Sequence, residues 1–259
     1  TNINYAHAKN FKNIKQIALA KSEIINNIKP HGYVVLNADD IFFQLHKKIA
    51  KEKNINVISF GIRSQKSDIK FISIRPLGKK FRIKIKLNNK IKYFLLSNDF
   101  QNNIYNTLSA VAVISIYKNI FKLNESIFLN FKIPGGRGDH SVVKLKNKKI
   151  NLIDQSYNSN PLSLKSAIKN FDKLDSKNSN KYLLIGDMLE LGSHSKKLHQ
   201  SIAPIINQTK IDKVFVKGKM ASLIFKNISK AKKGRILFNK SQIIELIRKD
   251  LNNNDYLMI

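Results

Sequence analysis

The chain has 259 residues, 42% of them hydrophobic, no Cys and a formal net charge of +30. That length and apolar content admit two modest domains with cores of their own and exclude wholesale disorder, while the absence of Cys excludes a disulfide framework or a thiolate metal site and fits a reducing, cytoplasmic compartment. No run approaches the ~20 apolar residues of a transmembrane helix and no secretory signal opens the chain, so no membrane partner is expected.

The 47 Lys and Arg against 17 Asp and Glu raise the question of nucleic acid. The Lys residues are spread along the whole chain, without a basic tail or basic helix. No zinc finger, RNP or helix-turn-helix signature accompanies them. Lys, Asn and Ile are all abundant, as an AT-biased genome produces. No nucleic-acid partner is therefore expected, although the charge favours small anionic substrates.

Taken in order, the chain opens with Ala6-His7-Ala8-Lys9-Asn10-Phe11, where a lone His is more often structural than a ligand. Ile14, Ile17, Ala18, Ile24, Ile25 and Ile28 then form a helical stripe. Lys21 falls on that stripe. Burial lowers a Lys pKa by up to ~3–5 units, and a neutral amine can take up carbon dioxide to become a carbamate able to bind Mg²⁺ through oxygen. The plainer alternative is that Lys21 snorkels to the surface.

Pro30-His31-Gly32 closes the helix. Tyr33–Leu36 is predicted as a buried strand, Asn37-Ala38-Asp39-Asp40 as a polar turn into the next helix, and Val57–Phe60 as a second strand. Lys70–Ser73, Phe81–Leu87 and Lys92–Leu96 are predicted as antiparallel strands, with Asn88-Asn89 as a hairpin turn. Asn103–Tyr117 is predicted as a helix. Asn103 and Asn106 share one side of its first turn, where they can cap the helix or meet an adenine edge.

Pro134-Gly135-Gly136-Arg137-Gly138-Asp139 is the best domain boundary, and an Arg in such a hinge can clamp phosphate. Strands are then predicted around Leu145 and at Ile150–Asp154, Tyr182–Ile185, Lys213–Val216 and Ile236–Phe238. Helices are predicted at Leu164–Phe171, Leu198–Ile206, Met220–Ile228 and Ser241–Asn252. That alternation makes a mostly parallel, Rossmann-like α/β sheet. Asp154-Gln155-Ser156-Tyr157-Asn158-Ser159-Asn160-Pro161 joins a strand to a helix with Pro at N1 and Asn160 as its N-cap. Such a junction is where open α/β sheets place ligands, and its N–H groups favour an anion. Gly186-Asp187-Met188-Leu189-Glu190-Leu191-Gly192 follows another strand. Its two carboxylates can orient an ammonium group or cap a helix. No GxxxxGK[ST] loop, GxSxG elbow or HExxH is present.

Several of these segments together resemble the Mur ligases. Ala6-His7 to Phe11 is similar to the AHxxxF segment of that family, and Ala20-Lys21-Ser22-Glu23-Ile24 to its AKxEI segment. Leu36-Asn37-Ala38-Asp39-Asp40 follows at the expected distance. Gly136-Arg137-Gly138 is similar to the GRG hinge. Asp154–Pro161 resembles DDSYNANP, and Gly186–Gly192 reads GDMLELG with His199 at the usual distance. The last two segments point to the member that adds D-alanyl-D-alanine to UDP-N-acetylmuramoyl-tripeptide.

The resemblance implies an ATP- and Mg²⁺-dependent ligase of cytoplasmic peptidoglycan synthesis, working through an acyl phosphate that an amine attacks. Residues 1–133 would be the back part of its central ATP-binding domain, with a β-rich flap. Residues 134–259 would be most of its C-terminal domain. The UDP-binding domain and the ATP-cradling loop are expected upstream of Thr1, and a KGS-like segment beyond Ile259. The chain is thus expected to be a fragment, inactive alone, of a monomeric enzyme.

By the same resemblance, Lys21 is a carbamylated lysine and His7 a magnesium ligand. Asn103, Asn106, Arg137, Asp154, Gln155 and Tyr157 meet ATP, with Arg137 also catalytic. Asn158, Asn160, Asp187 and Glu190 meet substrate. Gln155 departs from the second Asp of the family motif. Phe100-Gln101-Asn102-Asn103 lacks the Gly and His that usually start the adenine-side helix. Asn4-Tyr5 replaces the usual Gly before Ala6-His7. A folylpolyglutamate-type ligase and a non-catalytic basic nucleotide- or nucleic-acid-binding module are the alternatives; the DGAHNP-like turn of the former is absent.

Overall fold

The computed structural model describes residues 3–5, 8–129, 135–176 and 179–259. The chain divides into two compact units, one of Thr1–Asn4 and Phe11–Lys132, the other of Tyr5–Asn10 and Ile133–Ile259. Among the described residues no helix is long and apolar enough to cross a membrane.

The first unit is built on a five-stranded sheet. Strands β1 (Tyr33–Asn37), β2 (Asn56–Gly61), β3 (Ile69–Leu77), β4 (Lys80–Leu87) and β5 (Lys90–Leu96) lie side by side in chain order. β1, β2 and β3 run parallel, and β3, β4 and β5 form the antiparallel flap. The β4–β5 hairpin turns at Asn88 and Asn89, with φ of 46° and 63°. A two-residue turn that matches strand twist needs φ > 0 at both positions, and Asn tolerates it. Phe81, Ile83, Ile85 and Leu87 alternate with Lys80, Arg82, Lys84 and Lys86, so only one face of β4 reaches the core. There Ile83, Ile85, Phe94 and Leu96 pack under Ile104, Leu108, Val111 and Ala112 of helix α3 (Gln101–Tyr117).

Helices α1 (Ile14–Asn26) and α2 (Phe43–Glu52) belong to the same unit. Ile25 of α1 and Ala50 of α2 share a cluster with Ile55, Val34 and Val57. The buried side of α1 is Ile17, Ala18, Ser22 and Ile25, whereas Ile24 is 71% exposed. The stripe predicted from sequence is therefore turned toward Ser22, and Lys21 lies on its margin as an exposed residue. Of the two readings the sequence left open, the structure has Lys21 at the surface rather than pressed into a core. The cause is His46, a buried residue of α2 whose Nε2 lies 3.0 Å from the Ala18 carbonyl oxygen. That contact fixes which side of α1 faces inward.

The second unit is a six-stranded sheet. In space the order is β10 (Lys233–Ile236), β9 (Lys213–Lys217), β8 (Lys181–Gly186), β11 (Tyr256–Met258), β7 (Lys148–Asp154) and β6 (Asp139–Leu145). All pairs are parallel except β6 with β7. β8 is buried on both faces, as parallel strands are. Leu183 and Ile185 join one cluster with Ile168 and Phe171 of α4 (Pro161–Lys173), while Tyr182 and Leu184 join another with Leu246 and Leu257.

The helix predicted at Leu198–Ile206 is two, α5 (Ser195–Gln200) and α6 (Ala203–Asn207). Pro204 sits in the first turn of α6. It has no N–H to donate and its ring would clash with the carbonyl four residues back. Helix α7 spans Ala221–Asn227. The last predicted helix is α8 (Lys240–Glu245) followed by a π-helical turn, Leu246–Asp250.

Candidate functional site

In the second unit, the carboxyl ends of β7, β8 and β11 open onto a cavity of about 270 Å³. Gln155, Ser156, Tyr157 and Asn158 line one side, and Gly186, Asp187 and Leu189 the other. The two motif-bearing loops, far apart in sequence, meet here because β11 pairs with both β7 and β8. The floor is apolar, including Leu183, Ile185 and Met258. A mouth of polar side chains over an apolar floor at strand carboxyl ends is the usual ligand position of such sheets.

The loop after β7 is held rigidly. Gly138 N–H donates to the Asp154 carbonyl at 2.6 Å, Tyr157 N–H to the Gly136 carbonyl at 3.0 Å, and Gln155 N–H to the Ile259 carbonyl at 2.8 Å. Asp154 turns its carboxylate onto Ser156 N–H (2.9 Å). Gly136 has φ +75°, and a Cβ there would sit 2.9 Å from Tyr157 N. Gly136–Gly138 and the loop after β7 thus share one backbone-bonded piece. Exposed Arg137 holds its guanidinium over the Tyr157 ring, 4.3 Å from the centroid. Tyr157 itself is 66% exposed.

Asn160 is the N-cap of α4. Its side-chain oxygen accepts from Leu162 N–H and Ser163 N–H, and Ser163 Oγ accepts the Asn160 N–H in return. That capping box occupies the side-chain oxygen expected to meet substrate. Asn158 is exposed on the cavity rim.

Asp187 likewise has a structural partner. Its Oδ1 accepts Ala221 N–H at 2.7 Å, at the start of α7. Glu190 is exposed, in a left-handed turn with φ 61°. Beneath this loop lies His199, fully buried. Its Nε2 accepts Met188 N–H at 2.9 Å and its Nδ1 lies 2.8 Å from the Ser195 carbonyl, which assigns the proton to Nδ1. His199 braces the GDMLELG loop from below.

In the first unit, Asn103 and Asn106 lie on the first turns of α3. Asn103 Nδ2 reaches Asn98 Oδ1 at 3.3 Å, and Asn106 is exposed. Neither caps the helix, whose N-cap, Phe100, makes no side-chain cap bond. Asp39, in the polar turn after β1, has a larger part than a turn residue. Its carboxylate accepts the N–H groups of Ile62 (2.7 Å), Arg63 (3.0 Å) and Ser64 (2.7 Å) and the Tyr105 hydroxyl (2.8 Å). Burial alone would raise its pKa. The Arg63 and Ile62 N–H groups, with Tyr105 and Ser64, outweigh burial and hold it below the ordinary value of 3.8. Burial and the same hydrogen bond push Tyr105 up to about 12. The sequence marked the segment, as a polar turn and as part of the family resemblance at Leu36–Asp40, but nothing in it showed which donors Asp39 gathers.

His7 lies outside the described residues. Among those described, no group of three or more His, Asp or Glu side chains could hold a metal ion. For a nucleotide, the exposed Arg137 guanidinium and the polar cavity mouth fit an anionic ligand.

Two protein-family descriptions match the chain: the Mur ligase middle domain over residues 1–114, and the Mur ligase glutamate ligase domain over residues 141–259. The UDP-N-acetylmuramoyl-tripeptide–D-alanyl-D-alanine ligase of Buchnera aphidicola (strain APS) is 34% identical over 250 residues, covering 95% of this chain and 52% of that protein. The ligase of the same name from Rickettsia prowazekii is 29% identical, covering 86% of this chain and 49% of that protein. Among solved structures, MurF ligase from Thermotoga maritima in complex with ADP superposes with a TM-score of 0.79 at 20% identity, covering 99% of this chain and 56% of that one. The chain spans about half the length of the curated relatives it matches. With the middle-domain match over the first unit and the C-terminal match over the second, the chain belongs to the Mur ligase family.

Proposed function

We propose that the protein containing this chain joins D-alanyl-D-alanine to UDP-N-acetylmuramoyl-tripeptide in peptidoglycan precursor synthesis, consuming ATP. The observation that carries this reading is the cavity where Gln155–Asn158 faces Gly186–Leu189. Those two segments are the ones characteristic of ligases with this substrate pair, and they converge although 28 or more positions separate them in the chain. The relatives' names support the same substrates.

In this reading Arg137 meets the nucleotide phosphates, and Asn103 and Asn106 meet the adenine. Asp154, whose carboxylate is spent only on Ser156 N–H among the described residues, takes the ribose in place of the family's second Asp, now Gln155. Asn158 and Glu190 face the incoming amino compound. Asn160 and Asp187 act on substrate indirectly, by fixing α4 and α7. When bound, ATP supplies the phosphoryl group that activates the substrate carboxylate, and Mg²⁺ offsets the crowded negative charge. Lys21 and His7 remain its proposed partners on motif similarity alone, because exposure removes the burial argument for a neutral Lys21. We further propose a cytoplasmic, monomeric enzyme.

The test is phosphate release by the full-length protein with UDP-N-acetylmuramoyl-tripeptide and ATP, with and without D-alanyl-D-alanine. Release that depends on all three supports the reading. Release indifferent to D-alanyl-D-alanine but dependent on glutamate would instead favour a folylpolyglutamate-type ligase. Salt-sensitive DNA binding with no release would favour the basic binding module.

A further inference from the structure

Arg137 is held at both ends and loose in the middle. On one side Gly136 is locked by its carbonyl to Tyr157 N–H and by its N–H to Asp139 Oδ1 (2.7 Å). On the other, Gly138 is tied to the Asp154 carbonyl and begins the β6–β7 pairing at Asp139 and Asp154. Both glycines have positive φ, +75° and +94°. The backbone of residue 137 is thereby fixed. Its long side chain has no such fixing. Among the described residues its one recorded partner is the Tyr157 ring, 4.3 Å from the guanidinium.

Tyr157 in turn is placed by the same contacts that place Arg137. Its backbone N–H bonds Gly136, and its Cβ lies where a side chain on Gly136 would have to go. The missing Cβ at Gly136 is what lets the ring come up under residue 137. An arginine held over an aromatic face is attracted by the ring's π cloud while its N–H groups stay available to a fork of anionic oxygens.

We infer that Tyr157 is a positioning residue: its ring holds the Arg137 guanidinium, and Arg137, not Tyr157, meets the nucleotide. The inference rests on the reading of Arg137 as the phosphate contact, and it changes the role that motif resemblance gave Tyr157. A ring already covered by a guanidinium on one face is a poor platform for a base on that face.

The experiment is a double-mutant cycle in the full-length protein, with ATP affinity measured by calorimetry and KM for ATP by phosphate release. Tyr157→Ala should weaken ATP binding about two- to five-fold, the scale of an exposed cation–π contact. Tyr157→Phe should restore it. Arg137→Ala should weaken binding further, and adding Tyr157→Ala to Arg137→Ala should then change nothing. Additive losses in the double variant would overturn the inference, because Tyr157 would then touch the nucleotide itself. So would a Tyr157→Phe variant as weak as Tyr157→Ala, since the hydroxyl would then be the working group. A thermal melt of each variant separates these outcomes from unfolding. A wild-type protein that binds no ATP would sink the functional reading along with the inference. ATP binding with additive losses would sink the inference alone.

Discussion

Replacing Asp39 with Asn should loosen the first unit by about 3 kcal/mol. The carboxylate takes four donors, three from the consecutive backbone N–H groups of Ile62, Arg63 and Ser64 and one from Tyr105. Oδ2 alone takes the Ile62 and Arg63 N–H groups and the Tyr105 hydroxyl, so an amide that keeps its oxygen there turns its NH₂ on Ser64 N–H. Losing a hydrogen bond to a charged group costs ~1.5–3 kcal/mol net, and the three that remain weaken because their acceptor is no longer charged, which sets the loss near the upper end. The assay is hydrogen exchange by mass spectrometry on the full-length protein, reading the amides of 62–64. Those amides should exchange faster by two orders of magnitude or more. Equal protection in wild type and variant would refute the reasoning. The same carboxyl makes a pH prediction. Its folded pKa lies below the ordinary 3.8, so its contribution is complete above that value and is lost as pH falls through the lower folded value. Protection of 62–64 should therefore hold at pH 5 and collapse only under strong acid.

Gly218→Ala should cost about 2–4 kcal/mol. Gly218 has φ +124°, and a Cβ there would displace the Asp187 carboxylate from Ala221 N–H; circular dichroism melts would show the loss. Asn160→Ala should cost about 1 kcal/mol by removing the cap of α4, and Asn160→Asp should recover most of it, as read by urea denaturation. Lys21→Ala in the full-length protein should abolish amide formation, with partial rescue by a short carboxylic acid. Unchanged turnover in that variant would end the carbamate assignment.

Much of the architecture was legible because local and tertiary signals agreed. The pair Asn88-Asn89 demanded a hairpin turn, and the apolar runs of 182–185 and 213–216 could only be buried strands. Asn160 before Pro161 announced a helix start, though α4 begins three residues ahead of the predicted Leu164. What failed was rotation and continuity. The stripe on α1 fitted several angles equally well, and the choice fell to His46 on another helix, which periodicity within α1 does not encode. Pro204 split a helix that hydrophobic spacing ran through. For the site, the motifs marked the right loops but not the work of each side chain. The cap reading of Asn160 holds, Asp187 takes the capping rather than the ammonium-orienting alternative, at Ala221 N–H, and Asp39 gathers partners from segments 23 to 66 positions away.

The place of β11 in the sheet has a consequence for synthesis. β7 and β8 carry the two motif loops, yet they do not pair with each other; the strand between them is made about seventy residues after β8. On the ribosome, the nascent second unit holds an open slot in its middle, with the amides and carbonyls of both flanking strands unpaired. Its two halves can be joined only when Tyr256–Met258 emerges. A deletion of those few residues alone would leave the cavity with two walls and nothing to hold them at the right spacing.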